Sequence, residues 1–279
     1  MIRRDFLQTI SAGTLAALTL PRLPLMARKL HSIGIQLYTV REALQQDFEG
    51  TIAALSRIGI KEVELYAALY QRKAADMRSI LDRHGLRAPS GHVGLPEVTE
   101  TLGQTIEIAH TLGHRYVVVA SFPEEMHTVA GYTEAARALN AAGEKLKAAG
   151  LTLGFHNHSD EFLPLVGGAP RQIGYDILLA QTDPALVVME LDIFWIRKGQ
   201  RDPLDYFARY PGRFHMLHVK DMAADGSMVD VGAGAIDWKA IFRAAPAAGV
   251  EHYFLEHDEP KDSLAFAKSG FEYLKHLRF

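Results

Sequence analysis

Strand-like and helix-like segments alternate eight times between Ser32 and Leu277, and this alternation constrains the fold more than any other feature. The expected strands are short and apolar, at residues 32–40, 62–66, 87–93, 115–121, 151–158, 186–194, 214–220 and 252–256. The expected helices have apolar residues at helical spacing, at residues 42–58, 73–84, 98–112, 133–149, 172–181, 203–210, 237–248 and 263–277. Gly59 and Gly249 are expected to stop helices, and Asp237 to cap one. This alternation predicts a parallel sheet.

The number of units separates two parallel-sheet folds. Eight strand–helix units over about 250 residues are typical of a (β/α)8 TIM barrel, which is an α/β fold. A doubly wound open sheet is the main alternative, but a dinucleotide-binding sheet would carry a Gly-rich phosphate turn after its first strand, and this chain has none there. No linker or low-complexity segment divides residues 30–279. We therefore predict a single barrel domain over residues 28–279.

The sixth expected strand ends in charged and aromatic residues. Its sequence is Val187-Val188-Met189-Glu190-Leu191-Asp192-Ile193-Phe194-Trp195. Side chains alternate along a strand, so Glu190 and Asp192 point to the same side, and Asp192 lies nearer the carboxyl end. A carboxylate on a buried strand is costly unless it is paired or bound to a metal ion.

Three other expected strands end in similar residues. Their sequences are Phe155-His156-Asn157-His158, Met216-Leu217-His218-Val219-Lys220-Asp221 and Tyr253-Phe254-Leu255-Glu256-His257-Asp258. Barrel enzymes place their chemistry at the carboxyl ends of the strands, so we expect one shared site there. The chain contains no Cys, which excludes disulfides and thiolate ligands. Any metal ion must therefore be bound by His, Asp or Glu.

A ligand set of imidazoles and carboxylates suits one divalent ion. Mn²⁺, Zn²⁺, Co²⁺, Fe²⁺ and Mg²⁺ all accept such ligands, and the mixed nitrogen and oxygen set favours Mn²⁺ or another transition ion over Mg²⁺. Four residues have other interpretations. Glu190 is expected deeper in the barrel as a hydrogen-bond partner, and Glu64 is either a substrate contact or the partner of a barrel Lys or Arg. Trp195 is either a core residue or the wall of a sugar pocket, and Lys220 is either a surface residue or an electrophile that holds a substrate oxygen.

The first 27 residues differ from the rest of the chain. Arg3 and Arg4 precede an apolar stretch, residues 10–20, which is short for a membrane span. This pattern is typical of a secretory signal, and the paired arginines before Phe6 and Leu7 resemble a twin-arginine signal. A basic amphipathic helix is the alternative. We predict export, by the twin-arginine route, to the periplasm or beyond, with no stable membrane anchor after the signal is removed.

Several motifs resemble the xylose isomerase-like TIM barrels, a superfamily broadly described as sugar phosphate isomerases/epimerases. They are Gly34-Ile35-Gln36-Leu37-Tyr38, Val63-Glu64-Leu65, Phe155-His156-Asn157-His158, Glu190-Leu191-Asp192, His218-Val219-Lys220-Asp221, Gly232-Ala233-Gly234-Ala235-Ile236-Asp237 and Leu255-Glu256. The resemblance covers almost everything from residue 32 to 277. It implies a carbohydrate substrate and one divalent ion held by His156, Asp192, His218 and Glu256. Of His156 and His158, we favour His156 as the ligand and His158 as a substrate contact.

The resemblance also implies the chemistry. The metal ion would stabilise an enediolate of a keto sugar, a cyclitol or an oxidised glycoside, and the product would be an isomer, an epimer or a dehydrated ketone. Epimerases of this superfamily pair a fifth-strand Glu with the eighth-strand Glu, but here the fifth-strand position is His156, which favours a single-base lyase or isomerase. We expect Glu256 or His158 to take the proton, and Lys220 or His92 to donate one. The expected substrate contacts are Gln36, Tyr38, Glu64, His92 and Trp195.

Two other functions fit parts of the sequence. An exported sugar-binding barrel without catalysis would not need Asp192, His218 and Glu256 at an open metal site. An endonuclease of the same superfamily would use more metal ions and a basic surface. Removing the first 27 residues, whose net charge is +2, from a chain at −3 leaves −5, which argues against nucleic acid as a partner. The sequence allows a homo-oligomer.

Overall fold

Eight parallel strands close on themselves in the computed structural model, which describes residues 28–165 and 172–279. The strands are Gly34–Gln36 (β1), Glu62–Leu65 (β2), Arg87–Val93 (β3), Tyr116–Val119 (β4), Thr152–His156 (β5), Val187–Asp192 (β6), Phe214–Val219 (β7) and His252–Leu255 (β8). Strands adjacent in this order pair with one another, and β1 pairs with both β2 and β8. The predicted (β/α)8 barrel is therefore confirmed. Residues 1–27, where we predict the export signal, lie outside the described residues.

Helices follow the strands. Within the described residues they are Arg41–Gln46 (α1), Phe48–Ile58 (α2), Ala74–Arg83 (α3), Leu95–Thr99 (α4), Leu102–Leu112 (α5), Val129–Ala148 (α6), Gly174–Gln181 (α7), Ile193–Lys198 (α8), Pro203–Arg209 (α9), Trp238–Ala248 (α10) and Ser263–His276 (α11). Short 3-10 helices lie at Leu37–Val40, Ala67–Gln71, Glu124–Met126 and Asp160–Phe162. A search of the described helices for one long and apolar enough to cross a membrane finds none.

Local sequence signals set several helix ends. The Asp237 side chain accepts a hydrogen bond from the Ala240 N–H and caps α10, as predicted. Gly59 ends α2 with φ of 113°, and Gly249 ends α10 with φ of 99°; both lie in the left-handed region that glycine adopts without strain. The predicted helix at 42–58 is divided in two, because the Asp47 side chain accepts a hydrogen bond from the Gly50 N–H and starts α2 separately.

The side chains inside the barrel change from apolar to charged along its axis. An apolar cluster fills the lower interior: Tyr116, Val118, Val188, Met216 and Phe254. Glu190 lies two residues beyond Val188 along β6, and Asp192 lies two residues beyond Glu190. Because residues two apart share a face of the strand, all three point into the barrel. The charged layers therefore lie toward the carboxyl ends of the strands.

Three strands that carry candidate residues end at least two residues earlier than predicted, and two of these early ends change the placement of a candidate residue. β1 ends at Gln36 because the Gln36 side chain accepts a backbone hydrogen bond two residues on and starts a 3-10 helix. β6 ends at Asp192 because its Oδ1 accepts a hydrogen bond from the Trp195 N–H and caps α8. Trp195 thus lies on a helix and not on the strand. β5 ends at His156, so strand alternation does not determine the direction of His158.

Candidate metal centre and active site

The carboxyl ends of four strands bring His156, Asp192, His218 and Glu256 together. Asp192 pairs with His218 across β6 and β7, His156 is the last residue of β5, and Glu256 directly follows β8. One ligand atom from each residue lies within 4.8 Å of those from the other three. All four residues are buried, with exposed fractions of 0 to 6%. The four residues that the sequence analysis grouped as ligands therefore meet at one point.

The atoms that face this point make no aligned hydrogen bond, although Lys220 Nζ lies 2.8 Å from Glu256 Oε2 and 3.1 Å from Asp192 Oδ2. The four facing atoms are His156 Nε2, Asp192 Oδ2, His218 Nδ1 and Glu256 Oε2. His218 Nδ1 lies 2.7 Å from Glu256 Oε2 and 3.7 Å from Asp192 Oδ2, without the alignment of a hydrogen bond. An unpaired buried polar atom costs about 1–3 kcal/mol. A divalent cation would satisfy two nitrogens and two oxygens at once, so the donor set fits such an ion.

Hydrogen bonds on the far side of each imidazole orient its ligand atom. His218 Nε2 lies 2.7 Å from Glu64 Oε2, and because a carboxylate only accepts, Nε2 donates. Nδ1 is then the ring atom that would bind a metal ion. His156 Nδ1 lies 3.1 Å from the Ala120 carbonyl and donates to it, which leaves Nε2 facing the centre. Histidines that bind metal ions almost always have such a second partner.

A second compact group lies one layer deeper and contains Glu64, His92, Glu190 and His218. His92 Nε2 donates to Glu190 Oε2 at 2.6 Å, and Gln36 donates to Glu64 Oε2 at 2.9 Å. Burial opposes the charge on His92, but Glu64 and Glu190 raise the pKa of its imidazole to about 9. N–H groups of Gln36, His92 and His218 already donate to the carboxylates of this group. The group therefore holds the side chains beneath the four converging residues in place. Glu190 is thus the deeper hydrogen-bond partner that we expected.

Glu64 differs from both of its expected roles. It is fully buried and pairs with Gln36, His92 and His218, not with a Lys or Arg. It also does not line the cavity above the centre, so a direct substrate contact is not supported. Its place is beneath His218, where it fixes the ring that faces the centre.

A cavity of about 400 Å³ opens above the four converging residues. The candidate residues that line it are Gln36, Tyr38, His92, His156, His158, Lys220 and Glu256. The lining residues that sequence reasoning did not assign are Tyr66, Ala67, Ala120 and Asp258. Asp258 lies beyond the end of β8, where strand alternation does not determine its direction, and its Oδ1 accepts a hydrogen bond from Lys220 at 2.8 Å. Tyr66 and Ala67 belong to a loop whose direction the strand pattern does not predict.

Trp195 does not line this cavity. Its ring lies 5.4 Å from Lys220 Nζ and 5.6 Å from the His158 ring. Trp195 therefore packs against two residues that do line the cavity, and its direct contact with a substrate stays a prediction. This placement follows from the early start of α8, which moves Trp195 off the strand face.

Lys220 is buried beside three carboxylates. Its Nζ lies 2.8 Å from Asp258 Oδ1, 2.8 Å from Glu256 Oε2 and 3.1 Å from Asp192 Oδ2. Burial opposes the charge, but these carboxylates raise the pKa of Lys220 above its usual value. The residue is not a surface lysine; it is a fixed ammonium group on the wall of the cavity.

The other groups around the cavity have well-defined charges. Burial opposes the ionisation of Asp192 and Glu256, but Lys220 and the neighbouring histidines together outweigh burial and hold both pKa values below their usual range. Burial, followed by the charge of His156, lowers the pKa of His158 to about 3. At neutral pH Asp192 and Glu256 are therefore ionised, Lys220 is charged and His158 is uncharged.

Comparisons with known proteins agree with this architecture. An inosose dehydratase from Lacticaseibacillus casei is 22% identical over 268 residues, covering 81% of this chain and 86% of that protein. The crystal structure of a sugar phosphate isomerase/epimerase from Parabacteroides distasonis ATCC 8503 is 26% identical, with a TM-score of 0.79, covering 88% of this chain and 93% of the other. The IOLI protein, whose structure contains a bound zinc atom, is 16% identical with a TM-score of 0.65, covering 88% and 95%, and shows the fold alone.

The profile of one protein family matches most of the barrel. It is described as Xylose isomerase-like TIM barrel, and the match covers residues 52–277, from α2 to the end of α11. This range includes all four converging residues and the deeper layer beneath them. The chain belongs to the xylose isomerase-like TIM barrel family.

Proposed function

We propose that this chain is a divalent-metal-dependent dehydratase of a keto sugar or keto cyclitol. The observation that carries the proposal is the convergence of four ligand atoms without hydrogen bonds beneath a cavity lined by His158 and Lys220. The similarity to an inosose dehydratase supports the reaction class. We propose Mn²⁺ as the ion, with Zn²⁺, Co²⁺, Fe²⁺ and Mg²⁺ as alternatives, because all accept nitrogen and oxygen ligands.

The distribution of carboxylates favours elimination over epimerisation. The carboxylates that line the cavity, Glu256 and Asp258, belong to the same strand end. Within the described residues, the fifth-strand position is His156, which faces the proposed ion and not a substrate. Epimerisation by two opposed carboxylates would require one on each side of the cavity. Elimination requires only a base and an acid that are close together. Isomerisation is the second candidate reaction, because the chain is similar to a sugar phosphate isomerase/epimerase.

The residues then take separate roles. When bound, the ion would act as a Lewis acid toward the substrate oxygens and stabilise the negative charge that develops as a proton leaves carbon. His158 lines the cavity beside the centre, so we assign it by position as the base that takes the α-proton. Lys220 donates a proton to the β-hydroxyl, which leaves as water. One C–H and one C–O bond break, and a carbon–carbon double bond forms beside the carbonyl.

The remaining residues bind and orient. We assign Glu256 to the ion alone, because its Oε2 faces the centre and Lys220 holds its carboxyl group ionised. Gln36, Tyr38 and His92 line the cavity and are assigned to the substrate hydroxyls. His92 is held from its far side by Glu190, so its orientation is fixed before a substrate enters.

The test is turnover of inososes and other keto sugars, followed by the absorbance of the conjugated ketone that dehydration forms. Lys220→Met and His158→Gln should each lower kcat by about 10²–10⁴-fold, the usual contribution of a general acid or base. Both variants should keep the ion. Lys239→Met, at an exposed position of α10, is the control and should keep the activity of the wild type. A wild-type protein that binds a keto sugar without metal, and turns none over with any of the five ions, would instead be the sugar-binding barrel.

We also propose that the protein is exported by the twin-arginine route. The support is the sequence alone, Arg3 and Arg4 followed by a short apolar stretch. Cell fractionation tests this proposal. The full chain should appear in the periplasm, and the double variant Arg3→Lys, Arg4→Lys should remain in the cytoplasm. Export of both chains to the same extent would contradict the proposed route.

A further inference from the structure

A second cavity of about 380 Å³ lies beside the catalytic one. It is bounded by the 3-10 helix Ala67–Gln71 on one side and by α4 and α5 on the other. Ala67 lines both cavities. Val93 lines the second cavity, and the preceding residue, His92, lines the first. The two cavities are therefore neighbours, and a single small side chain, that of Ala67, belongs to the wall of each.

An uncharged hydrogen-bonded pair, Tyr70 and His114, lines the second cavity. His114 Nδ1 lies 2.6 Å from the Ala88 carbonyl, so Nδ1 carries the proton. Burial lowers the pKa of His114 to about 4, so the ring is neutral and Nε2 accepts a hydrogen bond from the Tyr70 hydroxyl at 3.2 Å. A side chain at Gly91 would collide with that hydroxyl, so glycine makes room for it. Once its proton is donated, the Tyr70 oxygen remains an acceptor.

The walls of the second cavity match an uncharged ring with hydroxyl groups. The polar lining residues are Tyr70, Gln71, Glu97, Thr101, Gln104, Thr105 and His114, and the apolar ones are Ala67, Val93, Ile108, Ala109 and Val117. No Lys or Arg is among these described residues, so the cavity lacks the cations that recognise a phosphate. Amide and hydroxyl groups beside small apolar side chains suit a sugar ring, which has hydroxyl edges and apolar faces.

We propose that the second cavity binds the distal ring of a glycoside whose oxidised ring lies at the metal centre. The inference rests on the proposed function and narrows its substrate class from keto sugars in general to keto glycosides. The distal ring would reach the second cavity past Ala67, whose side chain lines both cavities. The volume of the second cavity falls within the usual range for small-molecule sites, about 300–1,000 Å³.

The test compares two substrates that differ only in the distal ring. One is a disaccharide with a ring hydroxyl oxidised to a ketone, and the other is the methyl glycoside of the same oxidised ring. Gln104→Trp should fill the second cavity from its exposed rim, while Glu107→Trp places the same side chain at an exposed position of α5 outside it. Gln104→Trp should raise KM for the disaccharide at least about tenfold, since two or more hydrogen bonds of about 1 kcal/mol are lost. KM for the methyl glycoside should stay as in the wild type, and Glu107→Trp should change neither value.

Equilibrium binding separates this inference from the proposed function. Isothermal titration of both compounds to the metal-loaded His158→Gln variant, whose turnover should be about 10²–10⁴-fold slower, measures the binding of the distal ring. The disaccharide should bind at least about tenfold more tightly than the methyl glycoside, and Gln104→Trp should abolish the difference. Equal affinities for the two compounds, or an equal loss for both in Gln104→Trp, would overturn the inference even if both are dehydrated. A preference for the disaccharide without turnover by the wild type would support the inference and contradict the dehydratase.

Discussion

Both ends of the barrel place histidines against carboxylates. Among the described residues compared below, the atoms of these side chains that face one another lack hydrogen bonds at the carboxyl end but not at the amino end. At the amino end, His252 Nδ1 lies 2.8 Å from one oxygen of Glu62, and Arg87 donates to the other at 3.0 Å. The Tyr116 hydroxyl lies 3.1 Å from His215 Nδ1. None of these named atoms lacks a partner within the described chain. At the carboxyl end, the four atoms around the proposed ion all lack a hydrogen bond, and the two carboxylate oxygens among them have only the Lys220 ammonium group within ion-pair distance besides His156 and His218.

The two ends differ in the number of arginine and lysine side chains that lie beside their carboxylates. The two carboxylates at the amino end each have an arginine, Arg87 for the buried Glu62 and Arg115 for the exposed Glu251. At the carboxyl end one lysine, Lys220, serves Asp192, Glu256 and Asp258, while Glu64 and Glu190 pair only with histidines or an amide. Buried carboxylates in excess of cations are costly unless a further positive charge is bound. Residue types alone therefore do not predict a metal site; the atoms without hydrogen bonds and the excess of carboxylates over cations support the proposal of one at the carboxyl end.

The largest expected effect is the loss of the ion from one end only. His218→Ala removes a ligand, and we expect the purified protein to lose the divalent ion that the wild type holds at about one per chain. His252→Ala removes a histidine that faces a carboxylate at the amino end, and it should keep the ion. Elemental analysis of both proteins after dialysis measures the difference. Ion loss in both variants, or a wild type without any ion after loading with Mn²⁺, Zn²⁺ or Co²⁺, would erase the distinction between the two ends.

The sequence predicts well that the four residues at the strand ends lie together, and the reason is physical. Parallel strands bring their carboxyl ends to one edge, so polar residues at four strand ends must meet if the sheet closes. Asp192 and His218 follow from this rule, and their pairing across β6 and β7 agrees with it.

The misplaced residues depend on interactions outside the strand pattern. Trp195 was placed on a strand because the apolar run continues past Asp192, yet the Asp192 side chain caps a helix there and turns the chain. Glu64 was expected to face a substrate or a basic residue, but its partners, Gln36, His92 and His218, come from three other strands. The second cavity lies between a 3-10 helix and α5, where no strand periodicity applies.

A smaller effect distinguishes two carboxylates on the same strand. Glu64→Gln weakens the hydrogen bond that orients His218, and we expect the affinity for the ion to fall about 10–100-fold, as is typical when such a supporting partner is lost. Glu62→Gln makes the same change two residues earlier on β2, at the amino end, and should leave the affinity unchanged. Competition with a chelator of known affinity measures both values. Equal losses in the two variants would mean that the effect comes from the strand and not from the contact with His218.

The smallest expected effect is on stability, and it belongs to the amino end. Burial opposes the charge on Glu62, but His252 and Arg87 outweigh it and hold the pKa of this carboxyl below its usual value. A carboxyl whose pKa is lowered by folding stabilises the protein above its unfolded pKa, about 4.3 for Glu, and this contribution is lost as the pH falls through the folded pKa. Glu62→Gln should therefore lower the free energy of unfolding by about 1–3 kcal/mol at pH 7 and by much less below pH of about 4, as measured by urea denaturation. Glu49→Gln, in an exposed pair with Arg83, should have a smaller effect at pH 7, since exposed ion pairs contribute little. A loss in Glu62→Gln that is as large in acid as at neutral pH would show that the amino end depends on the shape of this side chain and not on its charge.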